Sequence, residues 1–177
     1  MNLEEKTINS RTAFEGKVID VLVDDVVIAT GQKTIREVVK HKGGVVIIAL
    51  KDDMNILMVK QYRYPIREES LELPAGKLDI DEDPAIACKR ELEEETGYVA
   101  QDWKSLGYIY TSPGFCNEKL YLYLATNLKY VGDNPDEGEV LQTQEYKAGE
   151  IFDMIKNGEI NDAKTICAMS RAFSGGF

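Results

Sequence analysis

The sequence predicts an α/β fold, and three observations carry that prediction. Short β-branched and apolar runs recur through the first part of the chain, at Lys17–Val23, Val26–Thr30, Val45–Leu50 and Ile56–Tyr62; such residues fit a pleated, half-buried surface. A well-punctuated helical segment follows at 84–96, with Asp83 suited to the N-cap, Pro84 to the first helical position and Gly97 to the left-handed residue after the last turn. Two further helical stretches close the chain, Ala148–Asn157 and Asn161–Phe173, with Gly158 between them; the second sets Ala163, Ile166, Cys167 and Phe173 at helical spacing.

Taken in order, residues 1–12 have no strong pattern. Lys17–Val23 and Val26–Thr30, joined at Asp24-Asp25, read as a hairpin, and Thr34–Lys40 as a third extended piece. These form an N-terminal antiparallel β extension over 1–42, followed by the main domain over 43–177 after the Gly43-Gly44 break. Val45–Leu50 is apolar throughout and reads as a buried central strand. Lys51–Asn55 is a polar turn, and Ile56–Tyr62 returns as the antiparallel partner of that strand. Arg63-Tyr64-Pro65 breaks it, and Leu71–Pro74 is a short extended lead into the helix. On the helix, Ala85, Cys88 and Leu92 make an apolar stripe for docking on a sheet, while Ala87 falls in the polar face, where a small side chain leaves room for a bound group. Leu106–Thr111 and Leu120–Thr126 are strands joined by Ser112–Lys119; Asn127–Val140 is a long acidic loop, and Gln142–Tyr146 a last strand.

Composition excludes some functions. The 177 residues suit one hydrophobic core, with 44% hydrophobic and 29% charged residues. A net charge of −10 argues against nucleic acid, whose binding needs Lys and Arg against phosphate. An anionic substrate then needs local basic residues or a bound cation. The three cysteines, Cys88, Cys116 and Cys167, are an odd number without zinc-type spacing, so reduced thiols in a cytoplasmic protein are expected. Met1–Thr12 is polar with charges of both signs, unlike a secretory leader. No apolar run approaches the roughly 18 residues that span a membrane. Cys116 has no evident base to make it a nucleophile; His41, the single histidine, is far away in sequence and reads as a surface residue.

The chemistry concentrates in Arg90-Glu91-Leu92-Glu93-Glu94-Glu95. Glu91, Glu94 and Glu95 are spaced so that their carboxylates share one helix face, where like charges repel by a few tenths of a kcal/mol per pair. A solvated acidic face is the bland explanation. A hard divalent cation, which takes oxygen ligands, would reverse the sign of that repulsion.

The residues around this helix favour the second explanation through a resemblance. Gly76, five residues, Glu82, seven residues, Arg90-Glu91-Leu92, one residue, Glu94-Glu95, one residue and Gly97 together resemble the Nudix box, departing from it only in Tyr98, where an aliphatic residue is usual. Beyond the box, Gln61-Tyr62-Arg63, Glu72-Leu73-Pro74-Ala75-Gly76, Pro113 sixteen residues past Gly97, and Gly158–Thr165 are similar to the ADP-ribose pyrophosphatase branch.

The resemblance implies an α/β/α sandwich, a mixed sheet between helices. It implies hydrolysis of the diphosphate of ADP-ribose to AMP and ribose 5-phosphate, with Mg²⁺ or Mn²⁺ as cofactor. The alternatives are another nucleotide sugar such as GDP-mannose or ADP-glucose, or a domain that senses ADP-ribose without cleaving it. The implied metal ligands are Glu91, Glu94, Glu95 and the backbone carbonyl of Ala75. Arg90 would orient the carboxylates, Arg63 would contact substrate phosphate, Glu118 would face the terminal ribose, and Pro113 and Gly114 would shape the substrate loop. The general base would come from an acidic loop, here Glu137 or Glu139. The branch tends to form homodimers whose N-terminal strands reach the partner's adenine site, a role open to Phe14, which core packing explains equally well.

Overall fold

The computed structural model describes residues 2–132 and 140–173. The chain divides into two compact units, Met1–Gly43 with Tyr110–Lys119, and Gly44–Ile109 with Leu120–Phe177.

The first unit is built on three strands, β1 (Lys6–Glu15), β2 (Ile19–Val27) and β3 (Lys33–His41), in the order β1-β2-β3 with both pairings antiparallel. The expected turn at Asp24-Asp25 is not there. β2 runs straight through both aspartates, pairing Asp24 with Ser10 and Arg36, and Asp25 with Asn9 and Ile35. A ladder on each side outweighs the local turn preference of two aspartates. The hairpin partner is β1, from the segment without a clear pattern. The loop at 112–117 is tied to β3: Val39 N–H donates to Phe115 O (2.7 Å), Asn117 N–H to Val39 O (3.1 Å), and His41 N–H to Asn117 Oδ1 (2.8 Å).

The second unit carries β4 (Gly44–Ala49), β5 (Asn55–Arg63), β6 (Glu68–Glu72), β7 (Ala75–Lys77), α1 (Pro84–Thr96), β10 (Leu141–Lys147), α2 (Ala148–Asn157) and α3 (Ala163–Phe173), with most of β8 (Tyr98–Tyr110) and β9 (Lys119–Tyr130). One sheet has the order β7-β4-β9-β8 and is mixed, β4 running parallel to β9 and antiparallel to β7; the other is antiparallel β10-β5-β6.

β4 is buried at all six positions, as its apolar run requires. Its side chains alternate between two clusters. Val46 and Ile48 pack with Ile151 of α2 and with Ala168 and Met169 of α3. Val45, Ile47 and Ala49 pack with Ala87, Cys88 and Leu92 of α1. The period of two along a strand sends alternate residues to opposite faces, so this unit is an α/β/α sandwich. Among the described residues no helix is long and apolar enough to cross a membrane.

Four local expectations are corrected. β5 does not pair along β4 but joins β10 and β6, with a Leu50–Ile56 bridge just past the end of β4. Both edges of β4 are taken by β7 and β9. β7, three residues long, is too short to show a period in sequence. Asn127–Tyr130 belongs to β9 rather than to the acidic loop; the Asn127 side chain donates to Asp102 of β8. On α1, Ala87 is fully buried among apolar neighbours and Ala85 is exposed, so Ala87 leaves no room beside the carboxylates.

Candidate active site

Helix α1 begins and ends as its sequence dictates. Asp83 Oδ1 accepts the Ala85 N–H at 2.8 Å, satisfying one of the donors left bare in a first turn. Gly97 sits at φ 71°, a left-handed conformation that costs glycine little, and its N–H donates to Glu93 O at 2.8 Å. Cys88 and Leu92 anchor the helix on the sheet, and burial pushes the Cys88 thiol up to about 11, so it is an inert core group. Toward the C-terminal end of the same helix stand the carboxylates of Glu91, Glu94 and Glu95, Glu95 itself among the buried residues.

β7 supplies the floor of this acidic face. It is held against β4 with Val45 opposite Gly76 and Val46 opposite Ala75. Ala75 N–H donates to Glu95 Oε2 at 2.8 Å, which ties strand to helix through a carboxylate only 8% exposed. The Glu91 carboxylate occupies the space a side chain at 76 would need: a Cβ there would lie 1.8 Å from Glu91 Cδ. Glycine at this position is a requirement of close approach.

Arg90 gathers the carboxylates. Its Nε and Nη2 donate to Glu82 Oε1 (3.1 Å) and Oε2 (3.0 Å), and its Nη1 lies 2.8 Å from both Glu91 Oε1 and Glu94 Oε2. Nη2 also donates to Lys77 O at 3.2 Å. The Glu82 hydrogen bonds, helped by the charge and hydrogen bond of Glu91 and the hydrogen bond of Glu94, outweigh burial and raise the Arg90 pKa further. In turn, the Arg90 hydrogen bond and the Asp79 N–H hold Glu82 below the usual carboxylate range. Glu82 thus braces the arginine and the turn before α1.

Among the described residues no group of three or more His, Cys, Asp or Glu side chains is gathered as a formed metal site. The donor set nonetheless fits a hard divalent cation. Glu91, Glu94 and Glu95 offer carboxylate oxygens from one end of α1, Ala75 offers a main-chain carbonyl from the strand tied to Glu95, and the missing side chain at Gly76 keeps space for Glu91.

Arg63, at the end of β5, grips Glu72 with both Nε (2.8 Å) and Nη2 (2.5 Å). Glu72 is 2% exposed and also pairs with Lys164 of α3. Burial alone would raise its pKa; the Arg63 hydrogen bonds and the Lys164 charge prevail and hold it at about 2. Arg63 is itself raised, first by the Glu72 hydrogen bond against burial and then by the charges of Glu72, Asp162 and Glu95. Its side chain remains 38% exposed, so part of the guanidinium faces solvent.

Glu118, Pro113, Gly114 and Phe14 belong to the first unit. Glu118 accepts the Thr111 hydroxyl at 2.7 Å and lies 3.4 Å from His41 Nδ1. His41 is not a surface residue: its side chain is 12% exposed, because Nδ1 accepts the Gly43 N–H (3.0 Å) and its main chain is tied to Asn117. Pro113 and Gly114 form a turn closed by Phe115 N–H to Ser112 O at 3.1 Å. They border a hollow of about 400 Å³ walled on its other side by Arg36, Glu37 and Val38. Arg36 is paired with Glu5 at 2.7 Å. Phe14 is 56% exposed, which rules out the core-packing explanation.

Glu137 and Glu139 lie outside the described residues. The chain on either side of them is fastened to the C-terminal end of α1: Val131 N–H donates to Gly97 O (2.8 Å), and Thr143 Oγ1 to Glu95 O (3.3 Å). Sequence reasoning missed Glu72, Asp162, Lys164 and Thr165 as a connected group. Their signal was present in the segments around Glu72 and at 158–165, but nothing in linear order joins them.

Comparison with known proteins agrees with this geometry. The NUDIX domain model matches residues 40–169. An ADP-ribose pyrophosphatase of Bacillus subtilis (strain 168) is 41% identical over 170 residues, covering 95% of this chain and 92% of that protein. A methanol dehydrogenase activator of Bacillus methanolicus is 42% identical over 168 residues, covering 94% and 91%. A solved structure of an ADP compounds hydrolase superposes with a TM-score of 0.85 at 21% identity, over 97% of this chain and 94% of that one, a likeness of fold. With the box carried on a capped helix, Gly76 cleared for Glu91, and relatives matching nearly end to end, the chain belongs to the Nudix hydrolase family.

Proposed function

We propose that this chain hydrolyses the diphosphate of ADP-ribose to AMP and ribose 5-phosphate. Water's oxygen forms a bond to one phosphorus while a general base takes its proton, the bridging P–O bond breaks, and the departing phosphate oxygen takes the electron pair. The observation that carries the reading is the Glu91 carboxylate seated over Gly76, beside Glu94 and Glu95 on one end of α1. Likeness to the Bacillus subtilis ADP-ribose pyrophosphatase supports the choice of substrate.

Nudix hydrolases generally depend on a divalent metal, and in this reading Glu91, Glu94, Glu95 and the Ala75 carbonyl hold Mg²⁺, with Mn²⁺ able to replace it. When bound, the cation neutralises charge developing on phosphate and makes water a better nucleophile. Arg90 keeps the carboxylates oriented. Arg63, braced by Glu72 and partly open to solvent, binds a substrate phosphate. Glu118 accepts from the terminal ribose, and Pro113 and Gly114 shape the loop it stands on. Glu137 or Glu139 serves as general base.

The same reading makes 1–42 a dimer-forming extension of a 43–177 catalytic domain, in a cytoplasmic homodimer to which Phe14 contributes a nucleoside contact. Every residue of β1 is exposed, and Ile8, Phe14, Val18 and Ile35 leave apolar surface uncovered in that unit; such surface is expected to meet a partner. The deciding assay is AMP release from ADP-ribose with Mg²⁺ and then with EDTA, beside Glu95→Gln, ADP-glucose and GDP-mannose. Metal-dependent AMP formation, most of it lost in Glu95→Gln, is expected. Turnover of GDP-mannose faster by about tenfold, or near-normal kcat in Glu95→Gln at limiting Mg²⁺, would overturn the assignment.

A further inference from the structure

We infer that the first turn of α3 positions the diphosphate site through two separate contacts: Lys164 sets Arg63 by way of Glu72, and Thr165 sets the Ala75 backbone by way of Leu73. The inference rests on the reading of Arg63 as a phosphate contact and of Ala75 as a metal ligand.

The first contact is electrostatic. Glu72 is buried between two cations, Arg63 on the β5 side and Lys164 on α3, and Lys164 also pairs with Asp162 Oδ1 at 2.8 Å. Two positive and two negative groups leave this cluster neutral. Without Lys164 it would carry a net negative charge, on a chain already at −10, where an anionic diphosphate must approach. Arg63 would then be the sole counter-charge of a buried carboxylate, its guanidinium drawn inward.

The second contact is a hydrogen bond with a fixed direction. Thr165 is fully buried; its hydroxyl donates to Asp162 Oδ2 at 2.6 Å and accepts the Leu73 N–H at 2.9 Å. Asp162 Oδ2 also accepts the Thr165 N–H at 2.9 Å, so the aspartate holds the helix start and the hydroxyl together. From Leu73 onward the main chain is held in turn by α3, β4 and α1. Pro74 has no N–H, its carbonyl accepts from Ile47 N at 2.8 Å, and Ala75 N–H donates to Glu95. The Thr165 contact is the point where this short segment is registered against α3, and the Ala75 carbonyl follows two residues later.

These are positioning residues, and the two contacts predict different failures. The test compares Lys164→Met, Lys164→Arg, Thr165→Val and Thr165→Ser. Three quantities are read: Mn²⁺ affinity of the nucleotide-free protein by electron paramagnetic resonance, ADP affinity by calorimetry, and kcat and KM for ADP-ribose. Lys164→Met is expected to weaken ADP binding and raise KM by about tenfold, the scale of a hydrogen bond to a charged group, moving Mn²⁺ affinity less than Thr165→Val does. Thr165→Val is expected to weaken Mn²⁺ binding by about tenfold and lower kcat with KM little changed. Lys164→Arg and Thr165→Ser are expected to restore most of each loss. Urea unfolding checks that every variant is folded; should Thr165→Val fail that check, Thr165→Ala replaces it. Losses that move together in both variants, or no loss in either, would overturn the inference. If wild-type protein turned over no ADP-ribose, the proposed function would fail, while the Mn²⁺ and ADP affinities would still decide the two contacts.

Discussion

Gly76→Ala separates the site from the fold. A Cβ at 76 would stand 1.8 Å from Glu91 Cδ, 1.9 Å from Oε2 and 2.1 Å from Oε1. All three are at the far end of a flexible side chain, so Glu91 can swing away while the backbone stays. Overpacking of this kind costs about 1–3 kcal/mol, and the Arg90–Glu91 pair it breaks, partly exposed, adds no more than about 1 kcal/mol. A domain stable by roughly 5–15 kcal/mol remains folded after that loss. The carboxylate face proposed to hold the cation fares worse, since one carboxylate no longer has a place beside the other two. Disturbing the support of a metal ligand typically costs about 10–100-fold in affinity or activity.

Urea unfolding, Mn²⁺ titration and AMP release from ADP-ribose measure the three quantities on one preparation. The expected result is a folded protein with Mn²⁺ affinity and rate reduced to the level of Glu91→Gln. Gly44→Ala is the control: its Cβ would stand 2.4 Å from Gly76 O, a backbone atom that cannot swing aside, so stability suffers first. Gly76→Ala protein with wild-type Mn²⁺ affinity and rate would refute the argument, because the seat of Glu91 would then be irrelevant to the chemistry.

Arg90→Met removes the shared counter-charge of Glu82, Glu91 and Glu94; the urea midpoint is expected to fall by the equivalent of about 1–3 kcal/mol and to recover with added Mg²⁺ more than in wild type. Glu72 sits at about 2 against an ordinary 4.5, burial opposing and Arg63 and Lys164 prevailing. A carboxylate depressed in the folded state contributes stability above its unfolded value and loses it as pH falls toward the folded one. Urea unfolding at stepped pH is therefore expected to show a loss between about pH 4.5 and 2 in wild type that Glu72→Gln lacks. Leu92→Ala empties a fully buried position under α1 and is expected to cost about 2–5 kcal/mol, with kcat per folded molecule nearly unchanged because Leu92 packs against the sheet.

Much of the candidate site was legible because it is local. Helix caps, the glutamate spacing and the Nudix box all lie within 76–98, where a helix of known period converts sequence separation into direction. Where inference failed, a competing long-range contact had won. Asp24-Asp25 reads as a turn in isolation, but pairing on both edges makes it strand. Ala87 reads as part of the polar face from its helical position, whereas the sheet under α1 claims it for the core. His41, flanked by lysines, gave no sign that Asn117 and Glu118 would enclose it from far along the chain.

The sequence by itself determined the family, the capped acidic helix, the strand at 45–50 and the helix at 148–157, since each rests on contacts within a few residues or on a period that one segment displays. Tertiary structure alone decided that β7 passes beneath Glu91 with no side chain in the way, that Arg63 is braced by a buried Glu72, and that α3 holds both Glu72 and Leu73. Those contacts join residues from 9 to 92 positions apart. Their energies arise only after burial has stripped water from the charges and made each missing partner costly, and no pattern in linear order carries that information.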